Sequence, residues 1–182
     1  MKINIAIAIT LLIILCSCSY DAKEKFYERL ISKYPVADLR GYVNVEQESR
    51  FLNITFNDSI QQLENGTGII YIGSSSCIWC QKIVPELNHV AIEEDTYILY
   101  VDASQSFLKS QYDRIVELLN EHVKDNELTA PTVIAVNNGI IMGYHAGAVE
   151  GFSIVDEYSE MNEDQKQELR NIYREMMHSI DY

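Results

Sequence analysis

Two cysteines, Cys77 and Cys80, are separated by two residues and lie between a strand-like and a helix-like segment. The preceding run, Ile69-Ile70-Tyr71-Ile72, is continuously apolar, which is typical of a strand covered on both faces. After the cysteines, apolar residues recur at helical spacing, namely Ile83, Val84, Leu87, Val90 and Ala91. This order puts both sulfurs at the start of a helix. A pair in that position can serve as a redox centre, as half of a metal site or as a structural cross-link.

The N-terminal segment is expected to be removed from the mature chain. The sequence MKINIAIAITLLIILCSC has a lysine near its start and then an apolar run from Ile5 to Leu15, shorter than the roughly 18 residues of a membrane-spanning helix. It ends in Leu15-Cys16-Ser17-Cys18, which resembles the bacterial lipobox, whose last cysteine is lipidated and becomes the new N-terminus. Cys16 is a competing position, but Leu15 is too bulky for the residue before a cleavage site. An uncleaved anchor is the alternative.

These features divide the chain into three parts. We expect a lipoprotein signal peptide over residues 1–17, a lipidated N-terminus with a charged spacer helix over 18–40, and a folded domain over 41–182. The domain is then extracytoplasmic and anchored to a bacterial membrane through lipid on Cys18. Of the four cysteines, Cys77 and Cys80 are left as thiols, and in an oxidising compartment they have only each other.

The composition and the turn residues add further expectations. A net charge of −13 argues against nucleic acid as a partner, because a phosphate backbone requires a basic surface.

Asn138-Gly139 predicts a hairpin turn, and Asn162 with Gln165 predicts a capping box at the start of the last helix. The apolar pattern predicts helices near 57–65, 77–91, 107–123 and 162–180 and strands near 69–72, 97–101, 132–136 and 140–144.

A redox role for the cysteine pair follows from the residues alone. A thiolate, not a thiol, attacks a disulfide, and the free N–H groups and positive dipole end of a helix favour negative charge on Cys77. Cys80, one turn further along, is shielded and placed to displace a mixed disulfide formed by Cys77. As a structural cross-link the pair closes a very short ring and contributes only about 2 kcal/mol. As a metal site it supplies two of the four ligands of structural zinc. We therefore expect redox chemistry with no metal and no cofactor.

From about Thr55 onward the chain resembles the thioredoxin fold family. The matching features are Cys77-Ile78-Trp79-Cys80, Pro85 five residues later, the loop Thr129-Ala130-Pro131-Thr132, and the hairpin at Asn138-Gly139 followed by Gly147. The resemblance implies an α/β fold of three layers, α/β/α, with a central mixed sheet of four to five strands. It also implies a redox-active disulfide, with Cys77 as the nucleophile and Cys80 as the resolving residue.

Three further residues are expected to contact the substrate. The resemblance implies a cis peptide bond before Pro131, which leaves a neighbouring backbone edge free to pair with a substrate strand, and Ala130 shapes the same groove. An ordinary loop proline is the alternative. Trp79, in the active-site loop, either offers apolar area to the substrate or packs against the start of the helix.

The chain departs from the family pattern beside the thiols. Ser76 replaces the tryptophan before the first cysteine, and Ile78-Trp79 replaces glycine-proline between the two. The buried carboxylate that the family carries six residues before the first cysteine falls on Tyr71, and Glu86 or water are the candidates to take its place. The direction of the reaction, reduction or oxidation, is therefore not implied by the resemblance.

The predicted function is that of an extracytoplasmic, membrane-anchored thiol–disulfide oxidoreductase. It would reduce, form by oxidation or exchange disulfides in client proteins, and it would exchange electrons with a redox partner protein. Among relatives, the signal segment and the long insertion before the proline loop look most like thioredoxin-like bacterial lipoproteins, including bacteriocin transport accessory proteins. A non-catalytic accessory lipoprotein that holds a secreted peptide or a transport partner is the main alternative, and a metal chaperone is a third.

Overall fold

The computed structural model describes residues 21–45, 48–156 and 158–182. The expected signal peptide over 1–17 and the expected lipidation site Cys18 lie outside these residues. Five helices and five strands occur in the described part of the chain. In order they are α1 (described over 21–33), β1 (Phe51–Asn53), α2 (Phe56–Asn65), β2 (Gly68–Gly73), α3 (Ile78–Glu93), β3 (Ile98–Asp102), α4 (Lys109–Leu118), β4 (Thr132–Asn137), β5 (Ile140–Ala146) and α5 (Glu163–His178). Within those residues, no helix has the length and apolar character needed to cross a bilayer.

The five strands form one mixed sheet in the order β1-β3-β2-β4-β5. The strands β1 and β2 both pair in parallel with β3, whereas β4 pairs antiparallel with β2 and β5 antiparallel with β4. Because β2 and β3 are parallel neighbours, the chain needs a long crossover between them, and α3 is that crossover. The start of α3, with its cysteines, therefore lies at the carboxyl end of a central strand.

Each central strand sends alternate side chains into two different cores. In β2, Ile69 and Tyr71 belong to the core shared with α3 and α5, whereas Ile70 and Ile72 belong to the core shared with α1, α2 and α4. All six residues of β2 are buried, which explains its uninterrupted apolar run. The fold is therefore α/β, with a mixed five-stranded sheet between two helical layers.

Two local predictions for the second half of the chain, the hairpin turn and the capping box, are confirmed. The turn at Asn138-Gly139 has positive φ at both residues, 50° and 77°, as a tight antiparallel hairpin requires. The last helix begins after Asn162, whose side chain accepts from the Gln165 backbone N–H in a capping box. The helix predicted over 107–123 is shorter, because α4 ends at Leu118 and turns follow.

The segment expected to be a spacer is packed into the domain instead. In and just after α1, the side chains of Tyr27, Leu30 and Tyr34 are 5%, 9% and 6% exposed and belong to the same core as β1 and β3. They recur at spacings of three and four residues, so they share one helical face. Just after this helix, Val36 forms a bridge with Leu52 of β1. The described part of 18–40 is therefore packed against the sheet.

Candidate thiol–disulfide active site

Cys77 caps the N-terminus of α3. Its backbone is extended, with φ −85° and ψ 118°, and its sulfur accepts a hydrogen bond from the Cys80 backbone N–H at 3.3 Å. The sulfur thereby satisfies one of the N–H groups that the first turn of a helix leaves without a partner. The side chain is partly exposed, and both cysteines are free thiols. The Cys77 sulfur therefore lies at the positive end of the α3 dipole.

Cys80, one turn further along, lies in a very different environment. Its side chain is fully buried and belongs to the core between the sheet and α5. Burial raises the pKa of this thiol to about 12. Cys80 therefore keeps its proton near neutral pH and is closed to solvent. The pair is asymmetric, with one sulfur that a second molecule can reach and one that it cannot.

The proline loop lies directly against the exposed sulfur. The Cys77 thiol donates to the Ala130 carbonyl at 3.7 Å, and the peptide bond between Ala130 and Pro131 is cis, as expected. The loop is held from both sides, since Thr132 Oγ1 donates to the Thr129 carbonyl at 2.6 Å and the Gly147 N–H donates to the Pro131 carbonyl at 2.9 Å. Residues far apart in sequence, at 77 and at 130–131, therefore share one surface.

An open groove of about 340 Å³ runs beside this loop. Trp79 lies in its wall and makes an edge-to-face contact with Phe152, with ring centroids 5.8 Å apart. Trp79 thus packs against the protein and also lines the groove, so its two expected roles are compatible. The full lining is Trp79, Thr129, Ala130, Pro131, Ala146, Gly147, Ala148, Val149 and Phe152.

One wall of the groove comes from the irregular segment between β5 and α5. Val149 and Phe152 belong to this segment, which is fastened to α3 by a 2.6 Å ion pair between Lys82 and Glu160. Met161, 4% exposed, also anchors it in the core. Neither Val149 nor Phe152 was among the predicted site residues. The available signal was the presence of apolar residues in a stretch without helical or strand periodicity.

Three tyrosine hydroxyls form a chain in the core to which Cys80 belongs. Tyr42 Oη lies 3.4 Å from Tyr71 Oη and 3.1 Å from Tyr100 Oη. Burial raises the pKa of Tyr42 to about 12 and raises the pKa values of Tyr71 and Tyr100 as well. These groups are therefore neutral hydroxyls near neutral pH, and each can donate one hydrogen bond.

Glu86 does not occupy the place of the absent carboxylate. Its side chain is 9% exposed and is paired with Arg170 of α5, with Arg170 Nε at 2.5 Å from Glu86 Oε2. This pair joins α3 to α5. Of the two candidates for that place, Glu86 and water, Glu86 is thus engaged with Arg170.

Over the described ranges, no three His, Cys, Asp or Glu side chains are grouped so that they could hold a metal ion. No protein-family model matches the chain, and no curated protein has a significantly similar sequence.

Proposed function

We propose that the chain is a thioredoxin-like thiol–disulfide oxidoreductase. The observation that carries the proposal is the pairing, at the N-terminus of α3, of a partly exposed Cys77 with a fully buried Cys80. A redox pair needs one sulfur that meets the client and a second that is reserved for the intramolecular step. The adjoining cis-proline loop and groove support the proposal, because they offer a client segment a place beside the exposed sulfur.

In the proposed reaction the Cys77 thiolate attacks one sulfur of a client disulfide. The client S–S bond breaks, its other sulfur leaves as a thiolate and takes up a proton from water, and Cys77 is held in a mixed disulfide. Cys80 then loses its proton and attacks the Cys77 sulfur, so that the mixed disulfide breaks and the client leaves as a dithiol. Two electrons pass from the pair to the client, and a redox partner protein returns them. In reverse, the oxidised pair accepts two electrons from a client dithiol.

The groove is the proposed binding place of the client. An extended segment that crosses Cys77 would meet the backbone of Ala130 and Pro131 and the apolar side chains of Trp79 and Phe152. Such a contact combines main-chain hydrogen bonds, which are independent of sequence, with an apolar surface that favours bulky residues near the client cysteine. In this proposal the domain works outside the cytoplasm, held at a bacterial membrane by lipid on Cys18, a part that rests on sequence alone.

The first test is a redox titration of the full chain in detergent. The protein is equilibrated in thiol–disulfide buffers, and the oxidised fraction is read from the mass of the alkylated peptide that contains Cys77 and Cys80. We expect a reversible two-electron transition. A midpoint near about −270 mV indicates a reductant and one near about −120 mV an oxidant. If the pair shows no reversible transition, the redox proposal is wrong.

The roles of the two cysteines predict opposite trapping behaviour. Cys80→Ser should accumulate mixed disulfides with client proteins, because Cys77 still attacks and nothing displaces the product. Cys77→Ser should trap none, because the buried Cys80 cannot reach a client. The measurement is non-reducing electrophoresis of membrane extracts, with the double Ser variant as the control. Equal trapping by both single variants would contradict these roles.

The groove also favours a second candidate function, that of a non-catalytic binding lipoprotein. Its apolar lining can hold a peptide whether or not the cysteines react. Under that candidate, peptide binding by the double Ser variant matches that of the unaltered protein, and the redox titration shows no transition. Under the oxidoreductase proposal, the transition is present and capture depends on Cys77.

A further inference from the structure

The groove beside Cys77 is bordered by a tight turn that has a carboxylate at its corner. Val149 and Phe152 both line the groove, and the Phe152 N–H donates to the Val149 carbonyl at 3.3 Å, which closes the turn between them. Gly151 has φ +77°, a turn conformation that glycine adopts without strain. Glu150 is therefore the corner residue between two lining residues, and its side chain is exposed. The structure places its carboxylate at the rim of the groove.

The interior of the groove is almost entirely apolar. Apart from Thr129, the side chains that line it are aliphatic or aromatic, and Trp79 and Phe152 meet edge to face in its wall. It begins at Ala130, whose carbonyl lies 3.7 Å from the Cys77 sulfur. A volume of about 340 Å³ is at the lower end of the range of ligand pockets, so it has room for a few large side chains. An apolar side chain close to a client cysteine therefore fits this space.

The part of the chain that forms the groove carries acidic residues and no lysine or arginine. Residues 125–165 contain eight acidic residues and supply the whole lining except Trp79. This stretch holds more than half of the net charge of −13. The loop that leads to Cys77 adds no compensating charge, since residues 73–79 are all uncharged. The negative charge of the protein is therefore concentrated in the segment around the groove.

Several of these acidic side chains are not neutralised. Glu160 and Glu163 are each paired with a lysine outside the stretch. Glu127, Glu150 and Asp156 are exposed and form no ion pair with any residue that the structure describes. They precede, interrupt and follow the lining residues along the chain. The rim of an apolar groove thus presents carboxylates that are available to a cation on a second molecule.

We propose that the groove selects client segments that carry a lysine or arginine beside a large apolar side chain, close to the reacting cysteine. Glu150 is the specificity-determining residue. This inference rests on the proposed function of the cysteine pair and names its substrate class. The apolar side chain packs between Trp79 and the turn, and the cation meets the Glu150 carboxylate at the rim. An acidic segment is repelled by the same wall.

The test measures the first chemical step with disulfide probes of defined sequence. Three blocked peptides, Lys-Trp-Cys-Trp-Lys, Glu-Trp-Cys-Trp-Glu and Lys-Ala-Cys-Ala-Lys, each carry thionitrobenzoate in a disulfide on their cysteine. The Cys77 thiolate attacks the peptide sulfur and forms a mixed disulfide with it. The bond to thionitrobenzoate breaks, and that group leaves as a coloured thiolate. Each rate is divided by the rate with dithiothreitol, which removes differences in intrinsic reactivity.

The parent chain for this test is the full chain in a neutral detergent, with Cys16→Ser and Cys18→Ser. At an ionic strength of about 0.1 M we expect the Lys-Trp probe to react about tenfold faster than the Glu-Trp probe, through electrostatic steering. In about 1 M salt the ratio should fall towards one, because the Debye length falls from about 10 Å to about 3 Å.

The apolar part of the preference is read from the two lysine probes. The Lys-Trp probe should react about tenfold faster than the Lys-Ala probe, because partial burial of a tryptophan in the groove stabilises the encounter. Phe152→Ala removes one aromatic wall of the groove and should bring the rates of these two probes closer together.

Two exposed glutamates provide a matched pair of charge changes. Glu150→Gln should lower the ratio of the Lys-Trp to the Glu-Trp rate about two- to fivefold, the range of an exposed ion pair. Glu175→Gln is the control, since Glu175 is also exposed and adjoins Arg174, which pairs with Glu94 at the far end of α3. That end is about 24 Å from Cys77 along a helix of 16 residues, more than twice the Debye length. Glu175→Gln should therefore leave the ratio unchanged.

The outcomes separate this inference from the function on which it rests. Equal rates for the Lys-Trp and Glu-Trp probes, a faster Glu-Trp probe, or the same fall in both glutamine variants overturns the selection of a cation at Glu150. Equal rates for the Lys-Trp and Lys-Ala probes overturn the selection of a large apolar side chain. In each of these cases thionitrobenzoate is released and the redox function stands. If the parent chain releases none from any probe, the proposed function itself fails and this inference fails with it.

Discussion

At the residue scale, Gly73 leaves the space that the Tyr71 hydroxyl occupies. An added Cβ would lie 2.1 Å from Tyr71 Oη and 2.4 Å from Tyr71 Cζ, both far inside ordinary contact distances. Tyr71 is fully buried and cannot move aside without repacking its neighbours. The absence of a side chain at 73 therefore leaves room for the Tyr71 hydroxyl.

This contact predicts that Gly73→Ala lowers the free energy of unfolding by about 1–3 kcal/mol, the usual cost of overpacking a core. The measurement is urea unfolding followed by circular dichroism. Gly151→Ala is a useful comparison, because its Cβ would meet no atom within 4 Å but its φ is +77°. It should cost about 1–2 kcal/mol through backbone strain alone. Identical stability of Gly73→Ala and the unaltered protein would contradict the packing argument.

At the element scale, α1 shows how a charged helix becomes part of a core. Its outer face carries the charged residues that suggested a spacer, whereas Tyr27 and Leu30 are buried against the sheet. The Tyr27 hydroxyl also contacts the hydroxyl of Tyr182, near the C-terminus. The helix is therefore held by packing and by a contact 155 positions away in sequence.

Alanine substitutions at two adjacent residues of α1 should change the free energy of unfolding by very different amounts. Leu30→Ala, at a side chain 9% exposed, should lower the free energy of unfolding by about 2–5 kcal/mol, through lost burial and a residual cavity. Ile31→Ala, at a side chain 41% exposed, should change it by less than about 0.5 kcal/mol. Both are measured by denaturant unfolding of the full chain in detergent. A spacer helix would give the same small change for both.

At the scale of the whole molecule, the fold encloses several acidic groups in their neutral form. Burial raises the pKa of Cys80 and Tyr42 to about 12, and it raises the pKa values of Tyr71, Tyr100 and Tyr173. In the unfolded chain a thiol and a phenol release their protons near the ordinary values of 9.0 and 10.0. At alkaline pH the folded state therefore holds more protons than the unfolded state.

Because the folded state holds more protons than the unfolded state at alkaline pH, we expect alkaline conditions to destabilise the fold. Below about pH 9 both states are protonated, and these groups leave stability independent of pH. Between about pH 9 and 12, stability should fall as pH rises, by up to about 1.4 kcal/mol per pH unit for each group whose unfolded form is ionised. Urea unfolding at pH 8 and about pH 10.5 measures this fall in stability. Tyr173→Phe should make the fall smaller, because it removes the contribution of one phenol. Constant stability over this range would contradict the prediction.

The sequence by itself determined the features that depend on residues close together along the chain. The buried strand β2, the cysteines at the start of α3, the hairpin at Asn138-Gly139 and the capping box at Asn162 were all predicted, because periodicity, caps and turns are local properties. The three-residue strand β1 was not predicted, because its pattern is too short and its pairing with β3 is distant in sequence.

The tertiary structure alone decided which distant residues meet. It packs α1 onto the sheet, brings Val149 and Phe152 to the groove beside Trp79, and turns Glu86 toward Arg170. Each contact joins parts of the chain that have no local relationship, and each depends on how the layers pack. The sequence therefore located the cysteine pair, whereas the packing of the layers produced the difference between an exposed sulfur and a buried one.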